Sequence, residues 1–468
     1  MLPIVLLSVF GIALLFLGFL KSKAVLLPAT LLFLAITIAA NFFDWNKSYL
    51  YFNDMLLTNN LSMVFTAIML GSAFMVVALS SSFADDESAQ PAEYYCLILF
   101  SLVGAVMMVG FENLIMLFVG VEILSVSMYV LTGSDKKNLR SNEAALKYFL
   151  MGAFATGIML FGMALLYGAT GSFTLAGLHA YASNGQVGLS LLMYVGLLML
   201  LIGLLFKVSA APFHFWTPDV YDGAPTIFTA FMSTVVKTAG YAALFRLLSV
   251  SFVGVYSFWW IILAVLTALT LVIGNVTAVY QNSFKRMMAY SSISHAGYLL
   301  LGLAALGTQT KQAIVFYSLA YSVATISAFG VLLLVAQQRS TQTFSREGGA
   351  SESFESFNGL ARQNPLLGFA MAVSMLSLAG IPLTAGFWGK FYMFSTAVER
   401  GQIWLLVVAV LMSAVGIYYY FRVIIAMYFR EGAFEPIRVA PFYRYVLLAA
   451  TILTLGLGIA PGLLQGLF

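Results

Sequence analysis

A single cysteine, Cys96, occurs in 468 residues, and it lies in an apolar run. An internal disulfide framework and a cysteine-ligated iron–sulfur cluster are therefore excluded within the chain. The three histidines, at 179, 214 and 295, are far apart and have no HExxH or CxxC context, so no metal site is expected. There is no P-loop and no convincing dinucleotide-binding fingerprint. Gly456 and Gly458 fall in an apolar stretch where close helix packing accounts for them. No redox or ATP chemistry is visible in this chain alone. Charge is scarce too: Asp, Glu, Lys and Arg make up 9% of residues, against roughly 25% in soluble domains.

Apolar sequence takes its place, with 62% hydrophobic residues and a mean hydropathy of +0.97. Runs of about 20 apolar residues, the length needed to cross a bilayer core, recur from end to end with short polar breaks. The expected fold is an all-α polytopic membrane protein. Fourteen spans are expected, at about 2–20, 24–43, 61–81, 94–111, 113–132, 144–168, 188–212, 226–248, 255–280, 286–306, 312–337, 365–397, 404–428 and 442–463. Only Glu112 and Asn113 separate the fourth from the fifth, which leaves thirteen open. The first span lacks the positive flank of a signal peptide and is expected to be retained.

Placing the N-terminus outside and alternating the loops puts thirteen basic residues inside: Lys21, Lys23, Lys136, Lys137, Arg140, Lys285, Arg286, Arg339, Arg346, Arg362, Arg430, Arg438 and Arg444. Four fall outside: Lys47, Arg246, Lys311 and Arg400. That is the bias of the positive-inside rule, with both termini on the outer side. The net charge of +4 then reads as loop asymmetry, not as a nucleic-acid surface. The remaining basic residues, Lys147, Lys207, Lys237, Lys390 and Arg422, fall within spans, as does one acid, Glu122. Charges at such positions are functional hypotheses by default.

An internal repeat runs at an offset of roughly 170 residues. EILSVSMYVLTG (122–133) matches SSISHAGYLLLG (291–302), KYFLMGAFATGIMLFG (147–162) matches VFYSLAYSVATISAFG (315–330), and KVSAAPFHFW (207–216) matches SLAGIPLTAGFW (377–388). Spans four to eight are thus repeated as nine to thirteen. Five spans per copy make the copies inverted, and Pro212 and Pro382 interrupt helices seven and twelve at equivalent places. Inverted repeats with interrupted spans point to a transporter whose ion path lies at the breaks. Proline removes a backbone donor and crowds the preceding turn, and carbonyls so freed need protein or water partners. The expected units are 1–93, three N-terminal spans; 94–248, the first repeat; 249–430, the second; and 431–468, a C-terminal span.

The stretches FKVSAAPFHFWTPDVYDGAPT, NSFKRMMAYSSISHAGYLLLG and LAGIPLTAGFWGKFYMF resemble the antiporter-like subunits of proton-translocating NADH:quinone oxidoreductase, bacterial respiratory complex I, and among them the subunit N family. The resemblance runs through spans four to thirteen. Subunit M has a glutamate where Lys390 stands, and subunit L has a long C-terminal extension. The resemblance implies a translocase subunit in the bacterial inner membrane, with both termini periplasmic. It would conduct protons in the membrane arm while quinone is reduced elsewhere in the complex. FMN, iron–sulfur clusters and quinone would belong to partner subunits, and the neighbours would include subunits M and K. The family's charged residues carry over onto Glu122, Lys207, Lys237 and Lys390, and Lys147 matches a further lysine.

Burial disfavours a charged lysine and a nearby acid favours it. Glu122 and Lys207 are therefore expected to form a switchable pair, Lys237 to take the proton from the inner side, and Lys390 to pass it outward. His214, beyond the break, is a candidate water-mediated bridge between Lys207 and Lys237, since histidine titrates near neutrality, although a helix cap or core hydrogen bond explains it nearly as well. Lys147 either joins the relay or snorkels to the inner surface. His295 either joins the relay or, since the repeat sets it opposite the apolar Val126, packs between spans; Arg422 is expected to snorkel or pair at a subunit interface, and His179 to be inert in an outer loop. The aromatic residues and methionines are read as lipid-facing or core and not as a quinone site. Two other readings stay open: a cation/proton antiporter subunit of Mrp type, and a scaffold that conducts nothing.

Overall fold

The computed structural model describes residues 1–80, 90–183, 190–342, 352–432 and 436–463, leaving aside the side chains of 339–342. Arg339 and Arg346, counted above in the charge bias, therefore lie outside the described side chains. A hairpin pairs Tyr49–Tyr51 with Leu56–Thr58, and the rest of the described regular structure is helical apart from isolated bridges. Helices dominate because a helix satisfies its backbone polar groups within one segment, as lipid requires.

The helices are α1 (Leu2–Leu17), α2 (Leu26–Asn41), α3 (Asn60–Ala78), α4 (Pro91–Gly110), α5 (Leu114–Thr132), α6 (Leu139–Thr170), α7 (Leu175–Ser183), α8 (Leu191–Lys207) and α9 (Trp216–Gly223). There follow α10 (Thr226–Ser251, with π-helical turns at Met232–Val236 and Leu247–Ser251), α11 (Tyr256–Val279), α12 (Phe284–Ala305), α13 (Thr310–Gln342), α14 (Leu360–Gln363), α15 (Pro365–Ala379), α16 (Ala385–Glu399), α17 (Ile403–Phe429) and α18 (Pro441–Ile459). Each expected span contains a helix. Among the described residues, ten helical segments are long and apolar enough to cross a membrane, while α1, α8 and α15 are apolar but shorter. The stretches on either side of Glu112 are separate helices, α4 and α5, pinned between bridges from Leu56 to Phe111 and from Asn113 to Thr174.

Glycines set the closest helix contacts. A Cβ on Gly104 of α4 would stand 2.5 Å from the Gly120 carbonyl oxygen and the Leu124 nitrogen of α5. Gly162 of α6 meets the Gly196 carbonyl of α8 at 2.7 Å in the same sense. Small residues at such crossings let backbones approach where no hydrophobic force drives association. The hydrophobic window of α10 is wholly buried, and α12 is buried along nearly its whole length. The outer helices α6 and α17 turn large apolar side chains outward, among them Phe154, Phe161 and Leu411.

Two faces close the bundle. On one, called here the basic face, Lys285 bonds the Ala224 carbonyl at 2.7 Å and Glu352 at 3.2 Å, and Asn364 bonds the Ile437 carbonyl at 2.8 Å. On the far face, Arg246 donates to the Phe111 carbonyl at 2.6 Å and pairs with Glu112, while Ser251 bonds the Leu175 carbonyl. Several expectations change here. Lys285 and Arg246 are buried and acid-paired, not loop charges in water. Arg422 has partners within the chain: it donates to the carbonyls of Val279 and Gln281 at the end of α11 and lies over the Phe354 ring. Cations suit a helix C-terminus, where carbonyls lack partners. His179 lies exposed on helix α7, not in a loop.

Candidate functional site

Helix α8 ends at Lys207, five residues before Pro212, and residues 208–215 form an irregular turn that includes Ser209 at φ +65°. The break thus begins at the lysine itself. Its freed groups find protein partners. The Trp216 indole, at the start of α9, donates to the Phe206 carbonyl at 3.0 Å, and the Ala211 N–H donates to Thr270 Oγ1 at 2.9 Å. Tyr148 stacks on Trp216 at 4.6 Å and presents its ring to the Lys207 ammonium at 5.7 Å. The break is therefore a braced joint, better satisfied than a proline-opened helix end is expected to be.

Lys207 donates to Ser125 Oγ at 2.8 Å, one turn beyond Glu122 on α5. No ion pair within 4.0 Å joins Glu122 to Lys207. The acid still acts on the lysine electrostatically, and its Oε1 is buried without a hydrogen-bond partner. The expected pair is thus adjacent but not in contact in this conformation. His214 is buried in the turn and its Nδ1 has no hydrogen-bond partner.

Lys237 follows the π-helical turn Met232–Val236, an irregularity common at functional sites. It is 3% exposed and donates to the Ser292 backbone carbonyl at 2.6 Å. One turn along α12 comes His295, which is buried and hydrogen-bonded through both ring nitrogens. Its Nδ1 meets Tyr317 Oη at 2.7 Å and its Nε2 meets Tyr420 Oη at 3.0 Å, while Tyr420 in turn bonds Ser291. His295 is within electrostatic reach of both Lys237 and Lys390.

The second break spans 380–384, between α15 and α16. Lys390 donates across it to the Ala379 carbonyl at 2.8 Å, to Ser413 Oγ at 3.0 Å, and lies over the Tyr298 ring at 4.8 Å. Gly380 has φ +84°, and a Cβ there would come 2.8 Å from Lys390 Cδ. Helix α18 covers this break: the Trp388 indole donates to the Gly458 carbonyl at 2.8 Å.

Lys147 stands apart from the buried line. It pairs with Glu143 at 2.6 Å and Asp219 at 2.7 Å, and Arg286 pairs with Asp219 at 3.0 Å and approaches Asp222 at 3.8 Å. These groups line a cavity of about 160 Å³ on the basic face. Among the described residues no cluster of His, Cys, Asp and Glu is arranged to hold a metal ion. The partners that sequence reasoning missed are mostly hydroxyls: Ser125, Tyr317, Ser413 and Tyr420. The polar run SSISHAGY within an otherwise apolar span was the available signal for part of this network.

The transmembrane family described as NADH:quinone oxidoreductase/Mrp antiporter matches residues 112–416. NADH-quinone oxidoreductase subunit N of Trichlorobacter lovleyi is 43% identical over 92% of this chain and 88% of its own length. The subunit N of Cytophaga hutchinsonii is 40% identical over 98% of both chains. A chain of respiratory complex I from Thermus thermophilus superposes with a TM-score of 0.83 at 37% identity, covering 99% of this chain and 98% of that one. A chain of the Mrp complex from Dietzia shares the fold, with a TM-score of 0.83 at 22% identity over 99% and 94%. The chain belongs to the subunit N family of NADH-quinone oxidoreductases, within the wider NADH:quinone oxidoreductase/Mrp antiporter transmembrane family.

Proposed function

We propose that this chain conducts protons across the bacterial inner membrane through Lys207, Lys237, His295 and Lys390, coupled to quinone reduction in partner subunits. The observation that carries the reading is the contrast among buried lysines. Lys285 is neutralised by Glu352. Lys207, Lys237 and Lys390 are each no more than 5% exposed, yet each donates to neutral oxygens and none has an acid within ion-pair distance. A buried charge without a counter-ion is costly, and inside a membrane it marks an ion path. Lysine amines that gain and lose a proton fit this setting, with His295 between the second and third.

In this scheme the basic face is the inner side and both termini are periplasmic. Glu122 is the acid that approaches and withdraws from Lys207, the state seen here being the withdrawn one. Lys237 receives protons and Lys390 delivers them outward. Pro212 and Pro382 mark the two joints. His214 links the first joint to Lys237 through water, a role supported by its buried and unbonded Nδ1. Lys147 acts in the ionic lattice on the inner face. FMN, iron–sulfur clusters and quinone belong to partner subunits, and the membrane neighbours include subunits M and K.

Lys237→Ala and Lys390→Ala in the assembled complex test the reading, with proton translocation and quinone reduction measured separately in sealed vesicles. Loss of translocation in both is expected. Full translocation in both variants overturns the relay and favours a non-conducting scaffold.

A further inference from the structure

Helix α13 carries four buried hydroxyls, on Ser318, Ser322, Thr325 and Ser327, that have no hydrogen-bond partner. Within a helix such hydroxyls ordinarily bond back to the carbonyl four residues earlier, and elsewhere in this chain they do so, at Thr30, Thr132, Thr267 and Ser374. On α13 the same residue types forgo that bond. Ser318, Ser322 and Thr325 follow the i, i+4, i+7 spacing of one helix face. Two further orphaned hydroxyls belong to the same region, Ser292 on α12 and Tyr221 on α9. The Ser292 hydroxyl lies beside those of Tyr221 and Tyr321, and the Tyr321 hydroxyl lies beside Thr325. These neighbours are close enough to interact, yet Tyr221, Ser292 and Thr325 make no direct hydrogen bond of ordinary geometry.

A buried hydroxyl left unsatisfied costs about 1–3 kcal/mol, and native structures meet such groups with ordered water where protein does not. This stripe also has two meaningful ends. Tyr221 adjoins Asp222, which lines the 160 Å³ ionic cavity on the basic face. At the other end Ser292 offers its carbonyl to Lys237, and Tyr317, next to Ser318, bonds His295. A cavity of about 10 Å³ lined by His295, Tyr317 and Tyr321 sits there, near the smallest size that holds one water.

We propose that the hydroxyls of Tyr221, Ser292, Thr325, Ser322 and Ser318 line a file of water that carries protons from the Asp222 cavity to Lys237 and His295. The inference rests on the lysine relay proposed above. Each hydroxyl accepts a proton-donating hydrogen bond on its oxygen and donates its own proton onward, so charge moves along the file with no net change in the side chains. These are positioning residues: they hold water in line and do not store the proton.

The test uses the assembled complex in sealed vesicles, with translocation normalised to the amount of complex. The variants are Ser292→Ala combined with Thr325→Val, Thr325→Ser alone, and Lys237→Ala. The double variant preserves volume and removes two hydroxyls, and it is expected to lower translocation by about fivefold or more. Thr325→Ser keeps the hydroxyl and is expected to stay within about twofold of the parent. If the double variant translocates normally while Lys237→Ala fails, the file is overturned and the relay stands. If Lys237→Ala also translocates normally, both fall. Equal losses in the double variant and in Thr325→Ser would show a packing role and overturn the file as well.

Discussion

Gly380 shows how much can hang on one position. Its φ of +84° is one that side-chain-bearing residues rarely adopt, and the space beside it is filled by the Lys390 stem. Gly380→Ala is expected to cost about 1–3 kcal/mol from backbone strain and to push the Lys390 amine away from Ala379 and Ser413. Thermal unfolding of the assembled complex and its proton translocation should therefore fall together, and an unchanged value of both would contradict this role. At this scale the sequence was most informative about charge. Glu122, Lys207, Lys237 and Lys390 stand out because ionisable groups are rare in apolar spans. What it could not show was what each amine touches. Ser125, Ser413 and Tyr420 are ordinary residues whose significance comes only from three-dimensional proximity. The burial of His295 was hidden for a related reason: the repeat sets it opposite Val126, which is 54% exposed, whereas α12 lies in the core.

Among the elements, the π-helical turn before Lys237, the joint at 208–215 and the break at 380–384 all disturb helix regularity where a lysine meets neutral acceptors. Proline spacing disclosed both breaks but misplaced the first, because the chain leaves the helix at Lys207 before the proline is reached. The far-face clasp is another element-scale device. Arg246, near the end of α10, holds the Phe111–Glu112 link between α4 and α5 by a carbonyl bond and an ion pair. Arg246→Met removes both and leaves Glu112 partly buried without its partner. A loss of about 2–4 kcal/mol is expected, read as a lower denaturation temperature. A change within error would mean that the clasp adds nothing to stability.

For the molecule as a whole, a helical membrane fold was legible because lipid permits few alternatives. The order of burial was partly legible: α10 is the least hydropathic of the ten apolar spans and α12 falls below them, and both are enclosed by other helices, whereas outward-facing spans such as α6 and α17 are more apolar. In the proposed scheme a buried line runs from the ionic cavity through Lys237 and His295 to Lys390, with Lys207 at the first joint. Conduction along that line requires water, since no side-chain hydrogen bond links one lysine directly to the next. The most direct measurement is therefore an experimental structure of the assembled complex at a resolution that shows ordered water. Water is expected within hydrogen-bond distance of Lys207, Lys237 and Lys390 and along the hydroxyl face of α13. A dry, wholly apolar surround at all three lysines would contradict conduction.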